Sequence, residues 1–143
     1  MKEVAKQTMM ITEAIMAIEH NPVSWFEIPV SDMARAKTFY ETVIQLPLEE
    51  HEMNDLQMAW FPMSETGSGA AGSLVKGKMH LPSLAGSLIY FSTPDIESAL
   101  ERVKKMGGNI ISTKTGIGEY GFIAFFEDTE GNRIGLHTPP ASM

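Results

Sequence analysis

The segment WFEIPVSD at residues 25–32 decides the fold of this chain. Alternate residues of a β-strand point to opposite faces, and this alternation predicts a strand with one apolar face. The apolar face carries Phe26, Ile28 and Val30. The opposite face carries Trp25, Glu27 and Pro29. Because Pro29 cannot donate a backbone hydrogen bond, we expect the strand to end or bulge there, or to lie where that amide is not needed.

A helix is predicted directly after this strand, because apolar residues recur there at helical spacing. They are Met33, Ala36, Phe39, Tyr40 and Val43. The same strand and helix pattern returns later in the chain, where Asp95 repeats Asp32 after 63 residues. Ser31 and Thr93 are the expected helix N-caps. An internal repeat of this length predicts two similar modules of about 60 residues each.

Each module is predicted to follow the order β-α-β-β-β, which makes the chain an α+β protein with a cupped mixed or antiparallel sheet. The remaining strands of the first module are expected at 48–53, 56–62 and 73–76, with an Asn54-Asp55 turn between the first two. The second module is expected to contain strand 87–92, helix 94–106 and strands 109–115, 122–127 and 133–138. We therefore divide the chain into an N-terminal helical extension (1–22) and one domain (23–140). That domain consists of module one (23–76), a linker (77–85) and module two (86–140).

Composition narrows the classes of partner. The chain has 143 residues, a formal net charge of −7 and no cysteine. An acidic chain without clustered Lys and Arg is not expected to bind nucleic acid or an anionic membrane. No apolar run approaches the length of a membrane span, and no signal peptide is recognisable. We expect a cytoplasmic protein that binds small molecules or proteins.

Two further segments have simple interpretations. In the N-terminal extension, Val4, Ile11, Ile15 and Ile18 share one helical face, which is expected to pack on the chain itself or on a second copy. Its methionines are an alternative partner-binding surface. The glycine-rich run GSGAAG at residues 67–72 lacks the ending of a phosphate-binding loop and is expected to be a flexible connection.

The doubled β-α-β-β-β order, together with two motifs, resembles the vicinal oxygen chelate superfamily. The first motif is EIPVSD at residues 27–32 leading to Phe39-Tyr40. The second is Asp128-x-x-Gly131-Asn132 before the last strand. This superfamily includes glyoxalase I, bleomycin-resistance proteins and extradiol dioxygenases. The resemblance implies two modules whose sheets curl round a cup, which in catalytic members holds a divalent metal that acts as a Lewis acid.

Carried over to this sequence, the four metal-ligand positions of the superfamily fall at Trp25, Ser73, Leu88 and Gly135. A divalent metal needs several imidazole or carboxylate donors, and none of these residues is one. We therefore predict no cofactor and no metal at that position. Glu27 and His137 each lie two residues beyond a lost ligand position, about 6.6 Å along a strand, and together they offer only a displaced divalent-metal site.

The candidate binding site is the face of the first strand that carries Trp25 and Glu27. Trp60 and Phe122 are predicted walls, and His137 is predicted at the rim. The alternative interpretation of His137 is a structural histidine. For Glu27 it is a charge paired with a residue such as Arg133. His20, His51 and His80 are expected at the surface.

The sequence thus predicts a glyoxalase-related homodimer that binds a small organic molecule in the cup without the usual metal. Two alternatives remain open. One is a lyase or isomerase with Glu27 as catalytic base, with or without a displaced metal. The other is a resistance-type protein that sequesters its ligand without turnover.

Overall fold

The computed structural model describes residues 2–17 and 21–141. It begins with the predicted N-terminal helix, α1 (Lys2–Ala17), whose described side chains, residues 2–11, are all exposed. The side chains of Ile15 and Ile18, predicted on its apolar face, lie outside the described part, as does His20. In the segments that the structure covers, none of the helices combines the length and apolarity required to cross a membrane.

The first module has the predicted order. Its elements are β1 (Phe26–Pro29), α2 (Met33–Ile44), β2 (Glu49–Met53), β3 (Leu56–Trp60) and β4 (Gly72–Lys76). The β2–β3 turn is formed by Asn54 and Asp55, both with positive φ. Among the described strands, β1 pairs with β4 alone, so the sheet has the order β1-β4-β3-β2. Pro29 therefore ends an edge strand, as the sequence predicts.

The second module repeats this arrangement. Its elements are β5 (Ile89–Ser92), α3 (Ile96–Lys105), β6 (Asn109–Gly116), β7 (Phe122–Glu127) and β8 (Arg133–Thr138), with a short 3₁₀ helix at Gly118–Tyr120. The sheet order β5-β8-β7-β6 is the counterpart of sheet one. In each sheet the first strand runs parallel to the last, and the other pairs are antiparallel. The chain thus forms two four-stranded mixed sheets.

Helices α2 and α3 are each capped by an aspartate. The predicted caps, Ser31 and Thr93, are therefore wrong. Oδ1 of Asp32 accepts a hydrogen bond from the amide of Arg35 at 3.0 Å, and Oδ1 of Asp95 accepts one from Ser98 at 3.2 Å. Each aspartate is the last residue with extended backbone, so its carboxylate reaches the free amide of the first helical turn. The two repeated aspartates therefore open equivalent helices.

One hydrophobic core serves both modules, because the helix-covered faces of the two sheets face each other across it. Phe39 of α2 lies 5.9 Å from Phe126 of β7, measured between ring centroids, and Tyr40 lies 5.9 Å from Phe91 of β5. The opposite face of each sheet points away from the core. We call these the outward faces of sheets one and two.

The motif Asp128-x-x-Gly131-Asn132 ties the modules together. Nδ2 of Asn132 donates to the carbonyl oxygen of Pro29 at 2.8 Å, and the buried hydroxyl of Tyr40 donates to Asp128 at 2.6 Å. Burial, and then the Asp128 carboxylate, raise the pKa of Tyr40 well above its ordinary value. The end of β1 and the middle of α2 are therefore held by the β7–β8 turn.

Glu130, inside the same turn, binds the N-terminus of α2. Its side chain accepts hydrogen bonds from the amides of Ser31 and Asp32 and from the guanidinium of Arg35, at 2.8–3.1 Å. Burial alone would raise the pKa of Glu130, but these donors outweigh it and lower the pKa to about 2. The carboxylate is therefore ionised whenever the protein is folded near neutral pH.

Candidate functional site on the outward face of sheet one

A row of four residues crosses the outward face of sheet one in register. It consists of Glu27 on β1, Ser73 on β4, Trp60 on β3 and Glu49 on β2. Opposed residues in neighbouring strands have Cβ atoms about 5 Å apart, so side chains in such a row contact one another. The strand alternation predicted from the sequence thus brings Glu27 and Trp60 onto one surface.

Two tryptophans form the aromatic part of this surface. The rings of Trp25 and Trp60 meet edge to face, with centroids 5.8 Å apart. His51 of β2 stacks on Trp60 at 3.8 Å. Beside the tryptophans lies a cavity of about 390 Å³, whose other wall includes Pro47, Pro62 and Met63. This volume lies within the range of small-molecule sites.

Several polar atoms at this surface are buried without a partner. Within residues 2–17 and 21–141, neither Oγ of Ser73 nor Nε1 of Trp60 has a hydrogen-bond partner. Ser73 itself is fully buried. Leaving such a group unpaired costs about 1–3 kcal/mol, and the great majority of buried polar atoms in folded proteins are paired. The surface therefore has hydrogen-bonding capacity that the folded chain does not use.

Glu27 is paired with a residue that the sequence analysis placed at the surface. Nε2 of His80, in the linker, lies 3.0 Å from Oε1 of Glu27. The Glu27 side chain is 38% exposed, so it is not the dehydrated charge that its apolar neighbours suggest. Its partner is also not Arg133, whose guanidinium lies 5.0 Å from the ring of Phe125 in sheet two. Pairing with His80 and contact with solvent together keep the carboxylate from being an isolated buried charge.

A second histidine and glutamate pair lies at the other end of the row. Nε2 of His51 is 3.0 Å from Oε1 of Glu49, although the alignment is not that of a hydrogen bond. Glu27 and Glu49 are three strand spacings apart, about 14 Å. The two pairs therefore cannot bind the same ion.

The residues at the superfamily's metal positions do not suit a metal. Of the four, only Ser73 has a side-chain oxygen, and a Cβ at Gly135 would lie 2.5 Å from the ring of Tyr90. A carboxylate at residue 135 would therefore displace that ring. Elsewhere in the described chain, no three His, Asp or Glu side chains are grouped closely enough to hold a metal ion.

The remaining predicted site residues lie on module two. His137 is on the outward face of sheet two, and its Nε2 lies 2.8 Å from the carbonyl oxygen of Tyr120. Phe122 shares its side of β7 with the core residues Ala124 and Phe126, and Lys114 lies over its ring at 4.4 Å. The outward aromatic residue of β7 is Phe125, in contact with Tyr90 at 5.7 Å.

One chain thus brings together Trp25, Glu27 and Trp60 but leaves His137 and Phe122 elsewhere. Sequence reasoning missed Ser73 as a polar contributor, and it missed His51 and His80. Alternation in β2 could have placed His51 on the same face as Glu49. His80 had no local signal, because the path of an irregular linker depends on contacts distant in sequence.

Residues 23–136 match the family model described as the Glyoxalase/Bleomycin resistance protein/Dioxygenase superfamily. A glyoxylase-like domain-containing protein from Didymella fabae is 26% identical over 123 residues, covering 85% of this chain and 96% of that protein.

Solved structures agree with this match. TnmS3, an antibiotic binding protein from Streptomyces sp. CB03234, is 27% identical with a TM-score of 0.64, over 87% of this chain and 98% of that one. Glyoxalase I from Zea mays is 18% identical with a TM-score of 0.60, over 82% of this chain and 46% of that one, and this likeness concerns the fold.

Proposed function

Because this chain belongs to the glyoxalase, bleomycin resistance protein and dioxygenase superfamily, we propose that it binds a small organic molecule on the outward face of sheet one. The observation that carries this proposal is the pair of buried, unpartnered polar atoms, Ser73 Oγ and Trp60 Nε1. A ligand oxygen that accepts from these donors would supply hydrogen bonds that the described chain does not make. The flanking tryptophans would cover the apolar part of such a ligand.

A sequestering role is the better supported form of this proposal. The structural relative TnmS3 is an antibiotic binding protein, and its similarity extends over nearly its whole length. The site of the present chain is lined by aromatic rings, and its donors are neutral. These features suit retention of an organic ligand, so we propose binding without turnover and without the superfamily's metal.

A second copy of the chain would complete the site. The two helix-covered faces share one core, so the outward faces of sheets one and two point apart within a chain. A ligand enclosed on both sides therefore needs the outward face of sheet two from another copy. Such a homodimer would place Tyr90, Phe125 and His137 opposite Trp25 and Trp60.

A lyase or isomerase is the second candidate function, and the Glu27–His80 pair favours it. A carboxylate that is 38% exposed and 3.0 Å from an imidazole can accept a proton from a bound substrate. His80 then orients the carboxylate and can exchange the proton with solvent. Glu27 would be the catalytic base and His80 a positioning residue.

Intrinsic fluorescence tests the proposal directly, because both tryptophans of the chain lie in the site. The protein would be titrated with a panel of natural-product antibiotics that includes metal-free bleomycin. At least one compound should quench the fluorescence saturably. Trp60→Phe removes the Nε1 donor and should weaken that binding about tenfold in a calorimetric titration.

Glu27→Gln separates the two candidate functions, with Glu101→Gln on the exposed side of α3 as its matched control. The bound compound would be recovered after a day and its mass determined. An unchanged compound indicates sequestration, whereas conversion that Glu27→Gln abolishes indicates the enzyme. If no compound binds, or if binding survives both Trp60→Phe and Glu27→Gln undiminished, the outward face is not the site.

A further inference from the structure

A second and larger cavity lies between the two modules, away from the row of Glu27, Ser73 and Trp60. Its volume is about 590 Å³. Its floor is a triangle of phenylalanine rings, Phe26 of β1, Phe61 and Phe91 of β5, with centroids 5.3–5.7 Å apart. Both modules thus contribute rings to one aromatic surface, and this surface borders the cavity.

The glycine-rich segment forms one wall of this cavity. Residues 68–71 line it together with β5. Gly69 has a φ of +85°, and a Cβ at that position would meet no atom within 4 Å. The segment therefore brings backbone and small side chains to the cavity without filling it. A run of glycine and alanine at this place keeps space open that larger residues would occupy.

The edge of β5 forms another wall. Five consecutive residues, 88–92, line the cavity, and since alternate side chains point to opposite faces, the strand presents its edge rather than one face. β5 pairs only with β8, so the peptide groups on its other edge have no strand partner in the described chain. The cavity therefore combines apolar side chains with a few backbone donors and acceptors.

Charge is missing from this cavity. The described residues that line it include no Asp, Glu, Lys, Arg or His, although the whole chain has a net charge of −7. An ionised ligand would lose hydration there without gaining a counter-charge. A flat, uncharged ligand would contact the three rings and could hydrogen bond to the edge of β5.

We propose that this inter-module cavity is a binding site for an uncharged, aromatic or polycyclic small molecule that carries at most a keto or hydroxyl group. The cavity shares Phe61 and Pro62 with the cavity beside the tryptophans, but Glu27, Ser73 and Trp60 do not line it. In this proposal the glycine-rich segment has a role, because it forms a wall that leaves the three phenylalanine rings accessible to a ligand.

The test compares two dyes that share one ring system. N-phenyl-1-naphthylamine is neutral, and 8-anilino-1-naphthalenesulfonate adds a sulfonate to the same skeleton. The neutral dye should bind the full chain saturably, one molecule per chain, with enhanced fluorescence. The sulfonate should bind at least about tenfold more weakly, because the cavity has no cation.

Two variants test whether the dye binds in this cavity. Ala70→Trp fills the space, and Leu46→Glu puts a carboxylate at the half-exposed rim; each should weaken the neutral dye about tenfold or more. Their controls, Thr66→Trp and Met79→Glu, lie outside the cavity and should change nothing. Circular dichroism checks that each variant is folded. One cavity variant adds bulk and the other adds charge, so if one of them misfolds, the other still tests whether the dye binds in the cavity.

Five outcomes overturn the proposal. The controls weaken the dye as much as the cavity variants do, or the sulfonate binds equally well. Binding disappears as the protein dimerises, so a second copy covers the cavity. Dye binds only after Ile11→Lys, so α1 of the same chain or of a second copy occupies the cavity. Finally, loss of dye binding in Trp60→Phe, with Ala70→Trp unaffected, would place the dye on the outward face and leave the proposed function standing.

Discussion

Ser73 is a fully buried serine whose hydroxyl makes no hydrogen bond within the described chain. An alanine at this position removes the unpaired oxygen and leaves only a very small void. We therefore expect Ser73→Ala to raise the free energy of unfolding of the ligand-free protein by about 1 kcal/mol. Urea denaturation monitored by circular dichroism measures this change.

The exposed Ser92 provides the control, since Ser92→Ala should leave the free energy of unfolding unchanged. If the hydroxyl of Ser73 serves a ligand, the stabilised variant should also bind that ligand more weakly. A Ser73→Ala protein that is less stable than the parent would mean that the hydroxyl has a structural partner, such as a bound water.

Strand alternation could predict which site residues share a face, but not their partners. Trp25 and Glu27 follow from the pattern of β1, and Trp60 continues the row through the pairing of β3 with β4. The contact of Glu27 with His80 joins residues 53 positions apart through an irregular linker. Phe122 was placed by its aromatic character alone, and alternation along β7 instead favours Phe125.

At the scale of elements, the N-terminus of α2 depends on the carboxylate of Glu130. Amides at the start of a helix attract negative charge, and here that charge comes from the other module. Glu130→Gln keeps the shape but removes the charge. We expect it to lower the free energy of unfolding at pH 7 by about 1–2 kcal/mol, allowing for the solvent exposure of Arg35.

The same contact predicts a pH dependence. Because the pKa of Glu130 falls from an ordinary 4.5 to about 2 on folding, its contribution to stability is complete above pH 4.5. The contribution is lost as the pH falls from about 4.5 to about 2. Denaturation between pH 2 and 7 should therefore show a shallower acid loss for Glu130→Gln than for the parent. Glu101→Gln should keep the parent's slope, and identical slopes for all three proteins would contradict the assignment.

Helices and strands were predictable because their hydrophobic periods are clear. β7 and β8 begin and end at the predicted residues, whereas β3 and β5 are each shorter by two. The caps were misassigned by one or two residues, because serine caps as well as aspartate by type alone and threonine is also a favoured cap. The deciding factor was which residue is the last with extended backbone.

At the scale of the molecule, we expect a homodimer. The described side chains of α1 include the exposed Met9, Met10 and Ile11, and the outward face of sheet two carries the exposed Tyr90. Exposed apolar patches of this kind commonly mark interfaces. Light scattering should show a dimer at micromolar concentration, and Ile11→Lys should weaken its association about tenfold.

Met79→Lys, in the exposed linker, is the matched control and should leave association unchanged. If light scattering shows a monomer across the micromolar range, a second copy does not complete the proposed site. A dimer that tolerates Ile11→Lys would instead assign the interface to the sheets alone.

The contacts that join the modules also have a consequence for biosynthesis. The amides of Ser31 and Asp32 and the carbonyl of Pro29 wait for partners that lie 98–103 residues further along the chain. At the usual 5–20 residues per second, a ribosome needs about 5–20 s to deliver them. During that interval the apolar side of α2 has no second sheet to cover it, so the nascent first module exposes apolar surface that the finished protein buries. The contacts that join the modules can therefore form only after the turn at residues 128–132 has been synthesised.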